Sequence, residues 1–182
     1  MMKLKEKYIK KVMPAMKEKL GYKNDLAVPK ITKVVVNIGI NPNTRNEKMR
    51  EEIAHDLASI TGQKPIPRSA KKAEAGFNIK QGEIIGLMMT LRKQKMYDFL
   101  DRLIHVALPR SRDFHGLARS NVDNGGNLNI GIKEQIIFPE ILAESAKGIF
   151  GFQVTVVSTA ENRQQGLELF KLAGFPIKVS EQ

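Results

Sequence analysis

The chain has 182 residues and a formal net charge of +11, with 30 Lys and Arg against 19 Asp and Glu. This length suits a single domain with its own core, and such an excess of cations favours a polyanionic partner. No apolar run approaches the roughly 18 residues of a membrane span, so we expect no membrane partner. The absence of cysteine excludes disulfides and Cys-based zinc sites, and it favours a cytoplasmic location. We therefore predict one domain over residues 1–182.

The N-terminal segment 3–20 predicts an amphipathic helix. Apolar residues recur at every fourth position, with Ile9 and Met13 beside them, while lysines occupy the opposite face. Gly21 stands where a helix ends, and Pro14 is expected to kink or shorten the helix.

The next segment predicts a strand followed by a helix. Residues 31–40 alternate between apolar and open positions, as in a strand with one buried face. Thr44 and Glu47 have the spacing of a capping box, which predicts a helix that ends at Gly62.

The segment 64–82 predicts a long exposed basic loop. It combines proline, glycine and small residues with five cations against the single acid Glu74. A loop of this length within a compact domain indicates a function. It leads into residues 83–92, whose alternation predicts a second strand with Thr90 and Arg92 on its open face.

The remaining elements follow from the same two periodicities and from turn residues. In chain order, the sequence predicts a helix at 94–107 that ends ahead of Pro109, a loop at 109–127, strands at 128–133 and 152–157, and a last helix capped by Ser158 and Glu161.

The fold class follows from the strands, each of which is apolar on one face only. A doubly wound parallel sheet would bury both faces and would show continuous apolar runs. We therefore predict a two-layer α+β domain in which helices cover one face of a mostly antiparallel sheet.

The other face of the predicted sheet is polar and cationic, and it carries almost no acid. Its members are Lys33, Val35, Asn37, Gly39, Met88, Thr90, Arg92, Asn129, Lys133, Gln153 and Thr155. Amides, hydroxyls and cations suit the phosphates and sugar hydroxyls of RNA. No aromatic residue is available to stack bases, so we expect recognition of backbone and shape.

Catalysis finds little support in the sequence. The histidines are His55, His105 and His115, and no metalloprotease, phosphate-loop or nucleophile-elbow motif is present. We predict that the chain is not an enzyme and needs no cofactor or metal.

Seven ordered strings resemble one known family: ITGQKP, AGFNIKQGEIIG, MTLR, KMYDFLDRL, ALPRSRDFHGL, GIKEQIIFPEI and the terminal GFPI. They are similar to the bacterial form of large-subunit ribosomal protein five, over about residues 2–177. The resemblance implies a 5S rRNA-binding, non-enzymatic protein of the central protuberance. It also implies an antiparallel sheet with helices on one side.

The resemblance further implies roles for matching residues. Those expected to contact 5S rRNA are Lys33, Asn37, Gln63, Thr90 and Arg92. Those expected to form a loop that reaches the P-site tRNA are Lys71, Lys72, Ala75, Gly76, Phe77 and Lys80. Arg110 and Arg112, with the segment 134–146, are expected to face further rRNA or a small-subunit head protein across a subunit bridge. Other implied partners are 23S rRNA and neighbouring central-protuberance proteins.

Two stretches depart from the family pattern. GLMMTLR replaces GCKVTLR, and VDNGGNLN at 122–129 replaces FDGRGNYS, which puts RNA contacts through 122–129 in doubt. A free-standing regulatory RNA or DNA binder on the same scaffold is the alternative hypothesis. DNA is the poorer ligand because a flat sheet does not fill the major groove.

Overall fold

The protein is an α+β fold built on one antiparallel sheet, as the sequence predicts. The structure is a computed structural model that describes residues 3–40, 46–112, 114–141 and 148–178. Its strands are β1 (Ile31–Gly39), β2 (Ile66–Ser69), β3 (Ile84–Leu91), β4 (Leu128–Ile132) and β5 (Phe152–Ser158). Among the described residues, these five strands are ordered β2-β3-β1-β5-β4.

Six α-helical segments are described, and short 3₁₀ and π turns lie between or beside them. They are α1 (Leu4–Lys7), α2 (Met13–Leu20), α3 (Glu47–Thr61), α4 (Lys93–Arg102), α5 (Leu108–Arg110) and α6 (Arg163–Ala173). Contacts within the chain group into two compact units. The first comprises Met1–Val34, Arg92–Ile130 and Thr155–Gln182, and the second comprises Val35–Leu91 and Gly131–Val154. Whether the chain folds as a single domain stays a prediction.

In the first unit, the predicted N-terminal helix contains a π-helical turn. The turn Tyr8–Val12 joins α1 to α2, and Pro14 lies at the start of α2. Proline has no N–H and collides with the preceding helical turn, so a widened turn just before it lets the helix continue. The shift leaves Ile9 52% exposed, although the sequence pattern placed it beside the apolar face.

The helix after β3 also contains a π-helical turn just before a proline. A π-helical turn, Leu103–Ala107, joins α4 to α5, and Pro109 lies inside α5. The prediction that this helix ends ahead of Pro109 was therefore wrong, since helical structure continues to Arg110. The apolar face of this helix is buried, and its members are Met96, Phe99, Leu100, Leu103 and Ile104.

Side chains satisfy two helix ends within the first unit. The Asp101 carboxylate accepts a hydrogen bond from the Leu4 N–H at 3.1 Å, at the start of α1. The Lys7 ammonium donates to the Ala173 carbonyl at 2.8 Å, at the end of α6. Both contacts supply partners to backbone groups that a helix leaves without internal ones.

The N-terminal caps of α3 and α6 differ from those predicted. Asn46 caps α3 by accepting from the Lys48 N–H at 3.2 Å, while Thr44 lies outside the described residues. Asn162 caps α6 by accepting from the Gln165 N–H at 2.9 Å. In both cases an asparagine beside the helix start performs the role that was assigned to a residue further upstream.

Ser158 serves the adjoining turn instead of the helix. Its hydroxyl donates to the Gly126 carbonyl at 2.6 Å and accepts from the Ala160 N–H at 3.1 Å. The predicted helix ends at Gly21 and Gly62 are confirmed, because both glycines have positive φ, and Gly174 ends α6 in the same way.

Candidate nucleic-acid interface

Strand β1 presents the predicted open face. Val34, Val36 and Ile38 are buried, while Lys33 is half-buried and Asn37 is exposed. Successive side chains of a strand alternate between its faces, so Lys33 and Asn37 point to the same side. The amide and the ammonium are therefore held on a strand whose opposite side is packed in the core.

Strand β3 confirms most of the alternation between buried and open positions that was predicted for residues 83–92. Leu87, Met89 and Leu91 are buried, and the alternating residues Met88 and Thr90 are half-buried. Thr90 is thus partly accessible, with its neighbours along the strand fixed in the core.

Gly86 departs from that pattern, because it is buried instead of lying open. A Cβ added at Gly86 would lie 2.7 Å from the Ile38 carbonyl oxygen, which is closer than real Cβ atoms approach. The residue is a glycine because the backbone of β1 passes at this distance. The register of the β2–β3 pairing shifts here, because Arg68 lies opposite Gly86 whereas Ser69 lies opposite Ile84.

Gln63, which only the family resemblance identified as an rRNA contact, lies beside Thr90. The Gln63 side-chain amide donates to the Thr90 carbonyl at 3.4 Å. The Thr61 hydroxyl holds the turn at Gly62, because its oxygen lies 2.7 Å from the Leu57 carbonyl oxygen, to which it donates, and 3.1 Å from the Gln63 carbonyl oxygen. Strand alternation could not identify Gln63, because it follows a helix end and belongs to no strand.

Arg92 was predicted on the open face of the strand, but β3 ends at Leu91 and Arg92 is the N-cap of α4. With Lys93 and Lys95 it forms an exposed cationic group at the start of that helix. Lys93 has φ of 53°, a left-handed conformation that is uncommon for a residue with a side chain. No side chain caps this helix start. Three cations at the positive end of a helix are electrostatically unfavourable unless an anion lies nearby. Lys93 and Lys95 were not singled out from the sequence, although the run RKQK displays them.

The open sides of β4 and β5 were also predicted correctly. Within the first unit, the Thr155 hydroxyl donates to the Asn129 amide oxygen at 2.8 Å. Within the second unit, Lys133 and Gln153 are exposed. Part of the hydrogen-bonding capacity of this face is therefore used within the protein itself.

The segment predicted as a basic loop at 64–82 contains more structure than that term implies. Strand β2 lies within it and pairs antiparallel with β3. The pairing continues through Ala70, whose N–H donates to the Glu83 carbonyl at 2.8 Å, and through a bridge between Glu74 and Ile79. We call residues 66–91 the basic hairpin, because β2 pairs with β3 at its base and the Glu74–Ile79 bridge closes it near its tip.

The tip of the basic hairpin presents one aromatic ring and several cations. Phe77 lies in the 3₁₀ turn Ala75–Phe77 and is 71% exposed. Lys71, Lys72 and Lys80 are exposed as well, and so are Ala75 and Gly76. An exposed ring among ammonium groups fits an RNA backbone with a base or ribose to pack against.

The turn at 122–129 keeps its geometry despite its departure from the family pattern. Burial opposes ionisation of Asp123, but hydrogen bonds from the Asn127 N–H, the Asn127 side-chain amide and the Gly125 N–H outweigh it and lower the pKa of its carboxyl. Gly126, with φ of 73°, packs so closely that a Cβ on Gly166 would lie 2.6 Å from its Cα. Asp123, Gly126 and Asn127 therefore form a well-defined turn.

Arg110 and Arg112 are both exposed at and just beyond the end of α5. Of the companion segment 134–146, residues 142–146 lie outside the described part of the chain. His55, His105 and His115 are exposed, and no group of His, Asp and Glu among the described residues has the arrangement of a metal site. No described helix is long and apolar enough to cross a membrane.

Comparison with known proteins supplies the family. The ribosomal protein L5 model matches residues 24–80, and the model for the C-terminus of the same ribosomal family matches residues 84–177. The large ribosomal subunit protein uL5 of Dictyoglomus turgidum is 50% identical over 175 residues, which span 96% of this chain and 98% of the relative. That of Herpetosiphon aurantiacus is 48% identical over 178 residues, or 98% and 99% of the two chains. The chain therefore belongs to the ribosomal protein L5 (uL5) family of the large ribosomal subunit, and it is a ribosomal protein rather than an enzyme.

Proposed function

We propose that the chain binds 5S rRNA and helps to hold it in the central protuberance of the large subunit, next to 23S rRNA, in a cytoplasmic ribosome. The observation that carries this proposal is the chemistry of the open strand faces. On β1 and β3 these faces offer amide, hydroxyl and ammonium groups and no carboxylate, and Arg92 follows directly after β3.

The assigned contacts are Lys33, Asn37, Gln63, Thr90 and Arg92. Arginine and lysine neutralise phosphates, while amides and hydroxyls bond to phosphate oxygens and ribose hydroxyls. Because each strand is buried on its other side, the side chains are positioned before RNA arrives, and less ordering entropy is lost on binding.

The tip of the basic hairpin is proposed to contact the P-site tRNA. Its support is the exposed Phe77 ring and the exposed lysines Lys71, Lys72 and Lys80 around it. Stacking of an aromatic ring on a base is tolerant of sequence, which suits a contact that different tRNAs must all satisfy.

Arg110 and Arg112 are proposed to face further rRNA or a protein of the small-subunit head across a subunit bridge. Their support is that both side chains are exposed at the end of α5, where their guanidinium groups can contact a partner without any change in the core. Neighbouring proteins of the central protuberance complete the proposed set of partners.

A gel-shift titration at near-physiological salt tests the rRNA assignment. The purified protein is titrated against 5S rRNA, a tRNA and a duplex DNA of matched length. We expect 5S rRNA to bind much more tightly than the other two, because duplex DNA lacks the ribose hydroxyls and the tRNA contact is assigned to the hairpin tip alone, whereas 5S rRNA matches the shape of the open faces. Equal, salt-sensitive binding to all three would overturn the assignment, since charge alone would then explain it.

Variants separate the open faces from overall charge. Thr90→Glu and Arg92→Glu are expected to weaken 5S binding strongly with circular dichroism unchanged. Lys23→Glu makes the same charge change as Arg92→Glu at an exposed position outside the assigned set. If all three variants lose affinity equally, the strand faces are not the interface.

Sucrose-gradient sedimentation tests the alternative of a free-standing regulatory binder. A ribosomal constituent sediments with large subunits, whereas a regulator stays near the top of the gradient. Recovery of the protein only at the top would overturn the structural role.

A further inference from the structure

The outer edge of the sheet carries one cation that has no assigned role. Strand β2 lies at the end of the sheet order, next to β3, and both strands belong to the second unit. Arg68 lies on β2 and is exposed, like the other three residues of that strand. The sequence places it among the cations of the basic segment, but neither strand alternation nor the family resemblance assigns it a contact.

The register of the β2–β3 pair places Arg68 on the open side of the sheet. Arg68 lies directly opposite Gly86. Residues that face each other across an antiparallel pair project to the same side. Gly86, Met88 and Thr90 alternate along β3 with residues that are buried in the core. The Arg68 side chain therefore projects to the same side as Thr90, which is one of the proposed rRNA contacts.

A contact with Met88 positions the guanidinium on this side. The Arg68 Nη2 donates to the Met88 Sδ at 3.7 Å. Because Gly86 has no side chain, the position directly opposite Arg68 leaves room for the arginine to reach Met88. A thioether sulfur is a weak acceptor, so this contact orients the guanidinium without using up its capacity to bind a stronger one.

No internal ion pair competes for the guanidinium. Among the residues that the structure describes, no carboxylate pairs with Arg68. On the same hairpin, the Glu83 carboxylate accepts from the Lys80 N–H at 3.0 Å. A guanidinium can donate two parallel hydrogen bonds to one phosphate. Binding of RNA to Arg68 would therefore break no ion pair within this part of the chain.

The sequence departure at position 88 gives Arg68 a specific place on the open side. The family pattern GCKVTLR has a lysine where GLMMTLR has Met88. Arg68 contacts that same methionine, so its charge lies within one side chain of the position that lacks a cation. The open side of β2 and β3 therefore keeps a positive charge, although the neighbouring strand carries it.

A charge on an edge strand can also protect the strand from pairing with another sheet. In β2 this protection has other sources. Pro67 has no N–H to offer to a further strand, and the register shifts directly after Arg68. The contact with Met88 also directs the guanidinium toward β3 and away from the free edge. These features favour a role on the face of the sheet.

We propose that Arg68 is a further 5S rRNA contact, which binds a backbone phosphate at the β2 edge of the open face and supplies the charge that position 88 lacks. It extends the proposed interface from β3 to β2. This inference rests on the proposed function, because it adds a residue to the same rRNA interface.

Gel-shift titrations of 5S rRNA over a range of salt concentrations test the phosphate contact. Arg68→Ala is expected to weaken binding by about tenfold and to lower the salt dependence of log affinity by about 0.7–0.9, as for the loss of one phosphate contact. Arg68→Lys keeps the charge and should keep the salt dependence. Lys23→Ala, at an exposed position outside the assigned set, is the matched control. Equal salt dependence in wild type and Arg68→Ala would overturn the proposal.

A double-mutant cycle tests whether Arg68 supplies the charge that position 88 lacks. Met88→Lys is expected to restore most of the affinity that Arg68→Ala loses. In the wild-type background the same change should add little, because both cations would serve one phosphate. An equal gain in the two backgrounds would overturn the proposal, and so would the absence of any gain in Arg68→Ala.

Circular dichroism and sedimentation velocity of Arg68→Ala separate the RNA contact from edge protection. We expect both measurements to match wild type, because Arg68 is exposed. Self-association of the variant with unchanged 5S affinity would overturn the proposal and assign Arg68 to edge protection. Failure of the wild-type protein to bind 5S rRNA would instead contradict the proposed function, so the two failures are distinguishable.

Discussion

Strand β3 and the tip of the basic hairpin belong to the same hairpin, but they are stabilised differently. Leu87, Met89 and Leu91 are 6%, 1% and 0% exposed, so β3 is held by burial of its apolar face. Phe77 is 71% exposed, and the Glu74–Ile79 bridge near the tip consists of backbone hydrogen bonds of 2.9 and 3.1 Å. Substitutions on the buried face of β3 should therefore affect folding, whereas substitutions at the tip should affect binding alone.

Loss of a buried side chain should have the largest effect on the free energy of unfolding. Leu91→Ala is expected to cost about 2–5 kcal/mol, because it removes fully buried methyl groups and leaves a cavity. Phe77→Ala is expected to change stability by less than about 0.5 kcal/mol, since the ring is exposed. Urea unfolding followed by circular dichroism measures both. Similar losses in the two variants would show that the tip is packed in solution.

A glycine pair tests how closely β3 and β1 approach each other within the second unit. Gly86→Ala is expected to cost about 1–3 kcal/mol, because the new Cβ would lie 2.7 Å from the Ile38 carbonyl oxygen. Gly39→Ala is the control, since nothing lies within 4 Å of its added Cβ. We expect that variant to be as stable as wild type, or more stable by up to about 1 kcal/mol. Equal unfolding midpoints would contradict the close approach.

Substitutions at the tip of the basic hairpin, which should leave stability unchanged, should instead weaken binding of tRNA. The triple variant Lys71→Ala, Lys72→Ala, Phe77→Ala is expected to keep its 5S affinity and to weaken binding of P-site tRNA to reconstituted ribosomes. Removal of one stacked aromatic ring costs about 1–3 kcal/mol in such complexes, which is roughly 5- to 150-fold in affinity. Thr90→Glu should lose 5S binding. If the triple variant lost 5S binding as well, the tip and the open strand faces would not be separate binding surfaces.

The turn at Asp123 differs from the Glu74–Ile79 bridge in its pH dependence, because a titratable side chain stabilises the turn. We expect this to be the smallest of the effects. Its lowered pKa means that the native state favours the ionised carboxylate. The resulting stability is present above the ordinary pKa of 3.8 and is lost as pH falls through the lower native-state value. Asp123→Asn should therefore be less stable than wild type at neutral pH, with the difference vanishing in acid.

Carboxyl NMR titration checks this directly. The Asp123 resonance should titrate below its ordinary range in wild type and closer to it in Asn127→Ala, which removes the side-chain donor. The hairpin bridge has no such dependence, since its Glu74 and Ile79 contacts are main-chain groups that do not titrate. An unshifted Asp123 in wild type would contradict the turn geometry.

Much of the candidate site was predictable from the sequence because it lies on strands with one buried face. The alternation around Val34, Val36 and Ile38 determined that Lys33 and Asn37 lie opposite them, and the structure agrees. Gln63 was not predictable in this way, because its position depends on the turn after Gly62 and on a hydrogen bond to Thr90. The family resemblance, not periodicity, identified it.

The alternation of apolar residues by itself determined the fold class and the open faces, because period two commits each strand to one buried side. It could not determine that the basic segment is a hairpin. All four residues of β2 are exposed, so no periodicity marks them as a strand. That strand exists because β3 offers backbone partners along its edge, and only the tertiary structure brings those partners into register. The backbone from Gly148 to Phe150 likewise depends on the buried Gln135, whose side chain donates to the Gly148 carbonyl and accepts from the Phe150 N–H across a distance that local sequence patterns do not relate.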